Sequence, residues 1–120
     1  MVRAMSQVRV SSAPAEVTVL CAGNVALDVA SYRAMVANQP TELTYLEFEL
    51  LRLLVNNANR IIAYEDLTRT LWSSSGSRER RRLAVMVCRL RTKLAASRPH
   101  RLETVRGRGY GLVQPFAGRG

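Results

Sequence analysis

Histidine, cysteine and tryptophan are scarce in this chain, with one His, two Cys and one Trp in 120 residues. A single imidazole and two thiols far apart, Cys21 and Cys88, make no metal-ligand spacing and no disulfide framework. Both cysteines read as reduced thiols of a cytoplasmic protein. His100 has no serine or cysteine partner suggested by its neighbourhood and reads as a surface loop residue. Long apolar runs are missing too, which excludes a membrane-spanning helix, and 1–15 lack the apolar stretch of a secretory signal. Acidic residues are few: nine Asp and Glu stand against eighteen Lys and Arg. The adjoining pair Glu65-Asp66 opens a helix, where acids complement the backbone dipole, and reads as structural rather than catalytic. With no nucleophile–base pair, metal set or phosphate loop, the chain reads as a non-enzyme that needs no cofactor and no metal.

What the chain does have is arginine, and its placement is uneven. From Arg78 onward twelve Lys and Arg face two acids, whereas the residues before it are close to neutral. The net charge of +9 therefore lies in the last third. Such segregation suits a surface that meets a polyanion.

Residues 1–16, with Ser, Ala, Val, Arg and Pro14, read as a loose arm, 17–114 as one domain and 115–120 as a flexible tail. Val17-Thr18-Val19-Leu20 is a strand candidate. The Gly23-Asn24 turn and Val25-Ala26-Leu27-Asp28 follow, then a third strand over Tyr32–Val36. Asn38-Gln39-Pro40 reads as a turn before a short fourth strand, Thr41-Glu42-Leu43. Together these predict a small antiparallel sheet. Thr44 to Asn57 is the clearest helix: Thr44 and Glu47 form a capping box, and Leu46, Phe48, Leu50, Leu51, Leu53, Leu54 and Val55 surround most of its axis, as in a buried helix. Glu47, Glu49 and Arg52 are expected to mark its rim. Ile61-Ile62 is a short β-like link. A second helix runs from Tyr64 to Trp72, with Leu67, Leu71 and Trp72 facing inward. Its N-cap, Ala63, has no side-chain acceptor, so the first turn is expected to fray.

The third helix is expected over Arg78–Ala96. Leu83, Val87, Leu90 and Leu94 recur at spacings of four, three and four and form one apolar stripe. At about 100° per residue, Arg81, Val85, Cys88 and Thr92 fall opposite that stripe, flanked by Arg78, Arg82 and Arg89. The chain closes with strands from Leu102 to Val105 and from Tyr110 to Val113, joined by Arg106-Gly107-Arg108-Gly109. The glycines permit a tight turn or positive φ angles. Gly107, Gly109 and Gly111 make no nucleotide loop, because no helix follows to receive a phosphate.

A helix fits the major groove, and a guanidinium fork suits phosphate or the O6/N7 edge of guanine. Arg78, Arg81, Arg82, Val85, Arg89 and Thr92 are therefore the candidate major-groove residues, with Val85 suited to a thymine methyl. Arg106 and Arg108 at the hairpin tip are candidates for phosphates or a narrow minor groove. Thr104 and Tyr110 are candidates for hydroxyl hydrogen bonds to phosphate.

In order and spacing these segments resemble the OmpR/PhoB-type winged-helix effector domain. The likeness rests on Leu43-Thr44-Tyr45-Leu46-Glu47-Phe48-Glu49-Leu50-Leu51, on Tyr64 to Trp72 with its closing Leu-Trp, on Arg89-Leu90-Arg91-Thr92-Lys93-Leu94, and on Thr104-Val105-Arg106-Gly107-Arg108-Gly109-Tyr110-Gly111. It covers about Val17 to Gln114. It implies an α+β fold: a four-stranded antiparallel sheet, three helices in a helix-turn-helix arrangement and a C-terminal β-hairpin wing. It also implies bacterial promoter binding for transcription regulation, often as a homodimer on repeated half-sites of double-stranded DNA. Contact with RNA polymerase is implied through the loop between the second and third helices, which is a short serine-rich 73–77 here. By position Arg81, Val85 and Arg89 match major-groove residues, and Thr104, Arg106 and Tyr110 match phosphate and wing contacts. Ala84, Met86 and Cys88 depart from the Asp, His and Arg of typical members. Members usually carry a phosphorylated receiver domain, part of a phosphorelay, ahead of this module. No receiver is expected in 120 residues, which leaves an orphan regulator or the effector end of a longer protein. A low-specificity nucleoid-type or RNA-binding protein, and a protein-interaction module on the same scaffold, remain alternatives.

Overall fold

The structure, a computed structural model, describes residues 18–115. The expected arm and Val17 lie outside them, as does all but the first residue of the expected tail. A two-residue turn at Gly23-Asn24 brings β1 (Val19–Ala22) against β2 (Val25–Asp28), with Ala22 opposite Val25 and Val19 opposite Asp28. Such a turn leaves no slack, so β1 runs up to Ala22 instead of stopping at Leu20. β3 (Arg33–Val36) and β4 (Gln39–Thr41) complete a sheet of order β1-β2-β3-β4.

Two boundaries differ from expectation. Tyr32 precedes β3 with φ 56, and the β3–β4 reversal falls on Ala37-Asn38, with φ 52 and 64, not on Asn38-Gln39-Pro40. Positive φ at both central residues matches the twist of paired strands. Pro40 then lies within β4, opposite Met35. β4 is an edge strand, where the missing proline N–H is tolerated. One sheet face carries Ala22, Val25, Leu27, Ala34 and Val36, all buried.

These side chains meet α1 (Tyr45–Asn56), whose Phe48, Leu50, Leu51, Leu54 and Val55 are buried. Its capping box is formed: Thr44 Oγ1 accepts from the Glu47 N–H at 3.2 Å, and Glu47 Oε1 accepts from the Thr44 N–H at 2.9 Å. Glu47 is not on the rim, however. It is 3% exposed, and Lys93 donates to the same Oε1 at 2.7 Å. Burial pushes this carboxyl up, but the hydrogen bonds from Lys93 and from the Thr44 backbone, with the ammonium charge, outweigh it. The carboxyl therefore titrates below the usual carboxylate value.

The chain continues through β5 (Ile62–Ala63), α2 (Tyr64–Trp72), α3 (Ser77–Lys93), β6 (Arg101–Val105) and β7 (Gly109–Val113). β5, β7 and β6 form a second sheet in that order. The α3 stripe of Leu83, Val87, Leu90 and Leu94 is buried as expected, and Met86 joins it. α3 stops at Lys93 with Leu94 as its cap, short of Ala96. Asn24 grips the connector that follows. Its side chain donates to Ala96 O at 3.1 Å and accepts from the Arg98 N–H at 2.6 Å, and its backbone N–H donates to Arg98 O at 2.8 Å. His100 is therefore no surface loop residue. It is 8% exposed, with its ring beneath Gly23 and its carbonyl accepting from Ser97 Oγ at 2.8 Å. The arrangement is the α+β winged helix that the resemblance implied.

A carboxyl titrating below its unfolded value contributes stability that is present above about pH 4.5 and is lost as pH falls through the lowered native value. Glu47→Gln is thus expected to cost about 1–3 kcal/mol at pH 7 and to decline less steeply in acid than the parent. Urea melts from pH 7 to pH 3 check this, since parallel curves would remove Glu47 as the linked group.

Candidate nucleic-acid interface

Burial of the leucine stripe turns the other side of α3 to solvent. Arg78, Arg81, Arg82, Val85, Cys88, Arg89 and Thr92 are all exposed there, Val85 by 50%. Gly76 caps the helix without a side chain. Glu79 compensates within the first turn, where Ser74 Oγ donates to it at 2.8 Å. That bond, together with its own backbone N–H, holds its carboxyl below the ordinary value. The result is a helix start with an acid at its positive pole and arginines along the outer face.

The arginines of this helix divide by what they touch. The Arg80 guanidinium lies 4.2 Å from the centre of the Tyr64 ring, and that of Arg82 lies 4.9 Å from the Trp72 ring. Arg91 donates to Leu102 O at 3.2 Å and to Thr104 Oγ1 at 2.7 Å. Among the described residues Arg78, Arg81 and Arg89 form no salt bridge and stand outward. Arg82 therefore stands at the edge of the candidate set, shared between Trp72 and solvent.

In the wing, Thr104, Arg106 and Arg108 are exposed. Thr104 accepts from Arg91, which leaves its own hydroxyl hydrogen available to a phosphate oxygen. Tyr110 departs from expectation. It is 8% exposed and packs edge-on against Tyr64, with ring centres 5.4 Å apart. Burial, chiefly, pushes its hydroxyl above the ordinary phenol value. It anchors the wing to the core, and only its hydroxyl end is left to meet a phosphate.

The wing glycines serve two purposes. Gly107 makes the turn, with φ +76 and open space around it. Gly109 is needed because β5 runs close against β7: a Cβ there would sit 1.8 Å from Ile62 O. The same closeness lets the Tyr64 N–H donate to Arg108 O at 3.1 Å. This bond occupies the first of the helix's orphan N–H groups, so the start of α2 is tied to the wing although Ala63 offers no cap.

Arg80 and Arg91 as structural ties, and the buried roles of Tyr110 and Met86, were not reached from sequence. Charge pattern alone does not separate an arginine that faces solvent from one laid on a tyrosine. The Tyr64–Tyr110 contact was hidden by its separation along the chain. The candidate interface is an exposed α3 face with a wing fixed beside it.

The family model described as "Transcriptional regulatory protein, C terminal" matches residues 38–112. The chain belongs to this family. Among curated members it is similar to the response regulator protein PmrA of Pseudomonas aeruginosa, 37% identical over 93 residues, covering 78% of this chain and 41% of that protein. It is also 32% identical over 93 residues to the phosphate regulon transcriptional regulatory protein PhoB of Escherichia coli, covering 77% of this chain and 41% of PhoB. The chain thus matches about two fifths of the length of these relatives. Among solved structures, the RstA DNA-binding domain of Klebsiella pneumoniae, crystallised with the RstA box, superposes with a TM-score of 0.71 at 26% identity, covering 81% of this chain and 98% of that one. The CpxR DNA-binding domain of E. coli gives 0.72 at 28% identity, covering 80% and 96%.

The close approach at Gly109 is part of how this family member holds its wing, and it separates two substitutions. Gly107→Ala is expected to cost about 1 kcal/mol, the strain of a left-handed alanine. Gly109→Ala is expected to reach at least the ~3 kcal/mol upper end of ordinary overpacking, because backbone must move. Thermal melts of the two variants decide, and an equal or reversed order would refute the close-approach account.

Proposed function

We propose that this chain binds double-stranded DNA sequence-specifically to regulate transcription, with α3 in the major groove and the wing on the backbone or the adjacent minor groove. One observation carries this reading. The exposed arginine face of α3 and the arginines of the wing tip lie on elements tied to each other, in a chain whose net positive charge lies from Arg78 onward. Membership of a transcriptional-regulator family and similarity to a domain crystallised on its DNA box support it.

Arg81, Val85 and Arg89 are placed to read bases, with Arg78, Arg82 and Thr92 around them. Thr104, Arg106 and Arg108 are placed to hold the backbone. Cys88 leaves part of this face without charge, so discrimination falls on the outward arginines and Val85. Phosphate contacts supply much of the affinity, which falls steeply as salt rises. Each good base contact contributes about 1–3 kcal/mol of discrimination. A homodimer on repeated half-sites belongs to the same reading, as does action in the cytoplasm, at the nucleoid. Among the described residues no helix is long and apolar enough to cross a membrane. Contact between RNA polymerase and the 73–77 loop is left out, because nothing in that loop's geometry selects such a partner.

Selection of bound duplexes from a random pool at near-physiological salt tests the proposal. An enriched motif, repeated if the protein pairs on DNA, is the expected result. Binding without enrichment would overturn sequence specificity in favour of a nucleoid-type protein. Arg89→Ala is expected to weaken selected sites more than random DNA. Arg106→Ala is expected to weaken both alike and to lower the salt slope by about one contact. A salt slope unmoved by Arg106→Ala would take the wing out of the phosphate account.

A further inference from the structure

We propose that Arg91 is a positioning residue that fixes the offset between the DNA read by α3 and the DNA met by the wing; this rests on the DNA-binding reading above. Arg91 lies in the last turn of α3 and reaches across to β6. Its Nε donates to Leu102 O at 3.2 Å and its Nη2 to Thr104 Oγ1 at 2.7 Å. β6 is an edge strand, paired only with β7, and it leads directly into the Arg106-Gly107-Arg108 tip. The outer side of the wing is therefore held by a two-point guanidinium contact. A planar fork fixes an angle as well as a distance, which a lysine ammonium does not.

The other side of the wing is held by Tyr64 of α2, on which Arg80 of α3 rests. The Tyr64 N–H donates to Arg108 O at 3.1 Å, the Tyr64 ring meets Tyr110, and Arg80 lies over Tyr64. α3 thus holds the wing at both edges, by Arg80 through Tyr64 and by Arg91 directly. Recognition helix and wing tip move as one body. On B-form DNA a shift of one base pair moves a contact about 3.4 Å along the axis, more than a hydrogen bond tolerates. A rigid pair of contact elements must then select the spacing between its two contact regions as well as the bases within them. The tie leaves the wing's own contact intact, because Thr104 serves Arg91 as an acceptor and keeps its hydroxyl hydrogen.

The test compares the wild-type chain with Arg91→Lys, which keeps the charge and loses the fork, and with Arg91→Ala. Synthetic duplexes carry the selected major-groove motif with its flanking minor-groove segment in place or displaced by one base pair. Wild type is expected to lose on the order of tenfold in affinity on displacement. Both variants are expected to lose about twofold or less, with the same preferred motif. A retained tenfold penalty in Arg91→Lys would overturn the positioning role. Uniform weakening on every duplex, with a salt slope lowered by about one in Arg91→Ala alone, would overturn it too and leave Arg91 as a plain phosphate contact. A wild-type chain that enriches no motif would instead bring down the DNA-binding reading itself. Amide hydrogen exchange without DNA gives a second readout. Arg91→Lys should lose protection at 104–108 while α3 keeps its own, and unchanged protection in the wing would overturn the proposal.

Discussion

A carboxylate with almost no access to water must be satisfied from within the protein, and Glu47 is satisfied by two separate elements. The Thr44 N–H completes the cap of α1, and the Lys93 ammonium arrives from the end of α3. The same oxygen takes both bonds, so the start of the central helix and the end of the arginine helix are fixed to one point. Removing either partner would leave a charge or a donor without its match in a place that punishes such losses. The direction in which α3 points its arginines depends on this junction. The buried leucine stripe sets the rotation of α3, and the Glu47–Lys93 pair sets where its last turn sits.

Arginine is the commonest charged residue on α3, yet the helix uses it in two ways. Arg80, Arg82 and Arg91 are spent within the protein, on Tyr64, on Trp72 and on β6. Arg78, Arg81 and Arg89 face outward. The stems of the first group cover apolar surface while their heads stay near solvent, so they still contribute positive potential at longer range. The outward group, with Arg82 at its edge, is the one proposed for direct contact. This division bears on the departures at Ala84 and Cys88, because the ring of arginines supplies field without replacing directional contacts at those two positions.

Much of this was legible in the sequence because the signals were local. The capping box at Thr44 and Glu47, the Leu83–Leu94 stripe and the Gly23-Asn24 turn each declare themselves within a few residues, and each is where the pattern placed it. The errors came from contacts distant along the chain. His100 looked like a lone polar residue until Asn24 drew the 96–98 connector against the first sheet. Tyr110 was read only for its hydroxyl, and its ring is packed edge-on against Tyr64 from the other side of two helices. Met86, three residues after Leu83 and so about 60° round the helix from it, belongs to the core flank and is buried beside Val87, although the four-residue stripe did not include it. The β3–β4 turn was misplaced for a local reason: Asn38 and Pro40 are both turn residues, and only the backbone shows that Ala37 takes the positive φ.

The pairing of Ile62 with Tyr110 and of Ala63 with Gly109 joins strands that lie on opposite sides of α2 and α3 in the chain. Closing so large a loop carries an entropic cost that is met before the pairing returns anything. Packing α2 and α3 shortens that loop, so the pairing is expected to follow it. On this argument the wing is expected to assemble late. Substitutions confined to it should surface as faster unfolding, with the rate of folding little changed. Its chief kinetic effect is then on how long the native state persists, so the part of the protein proposed to hold the nucleic acid backbone would also be the latch on its lifetime.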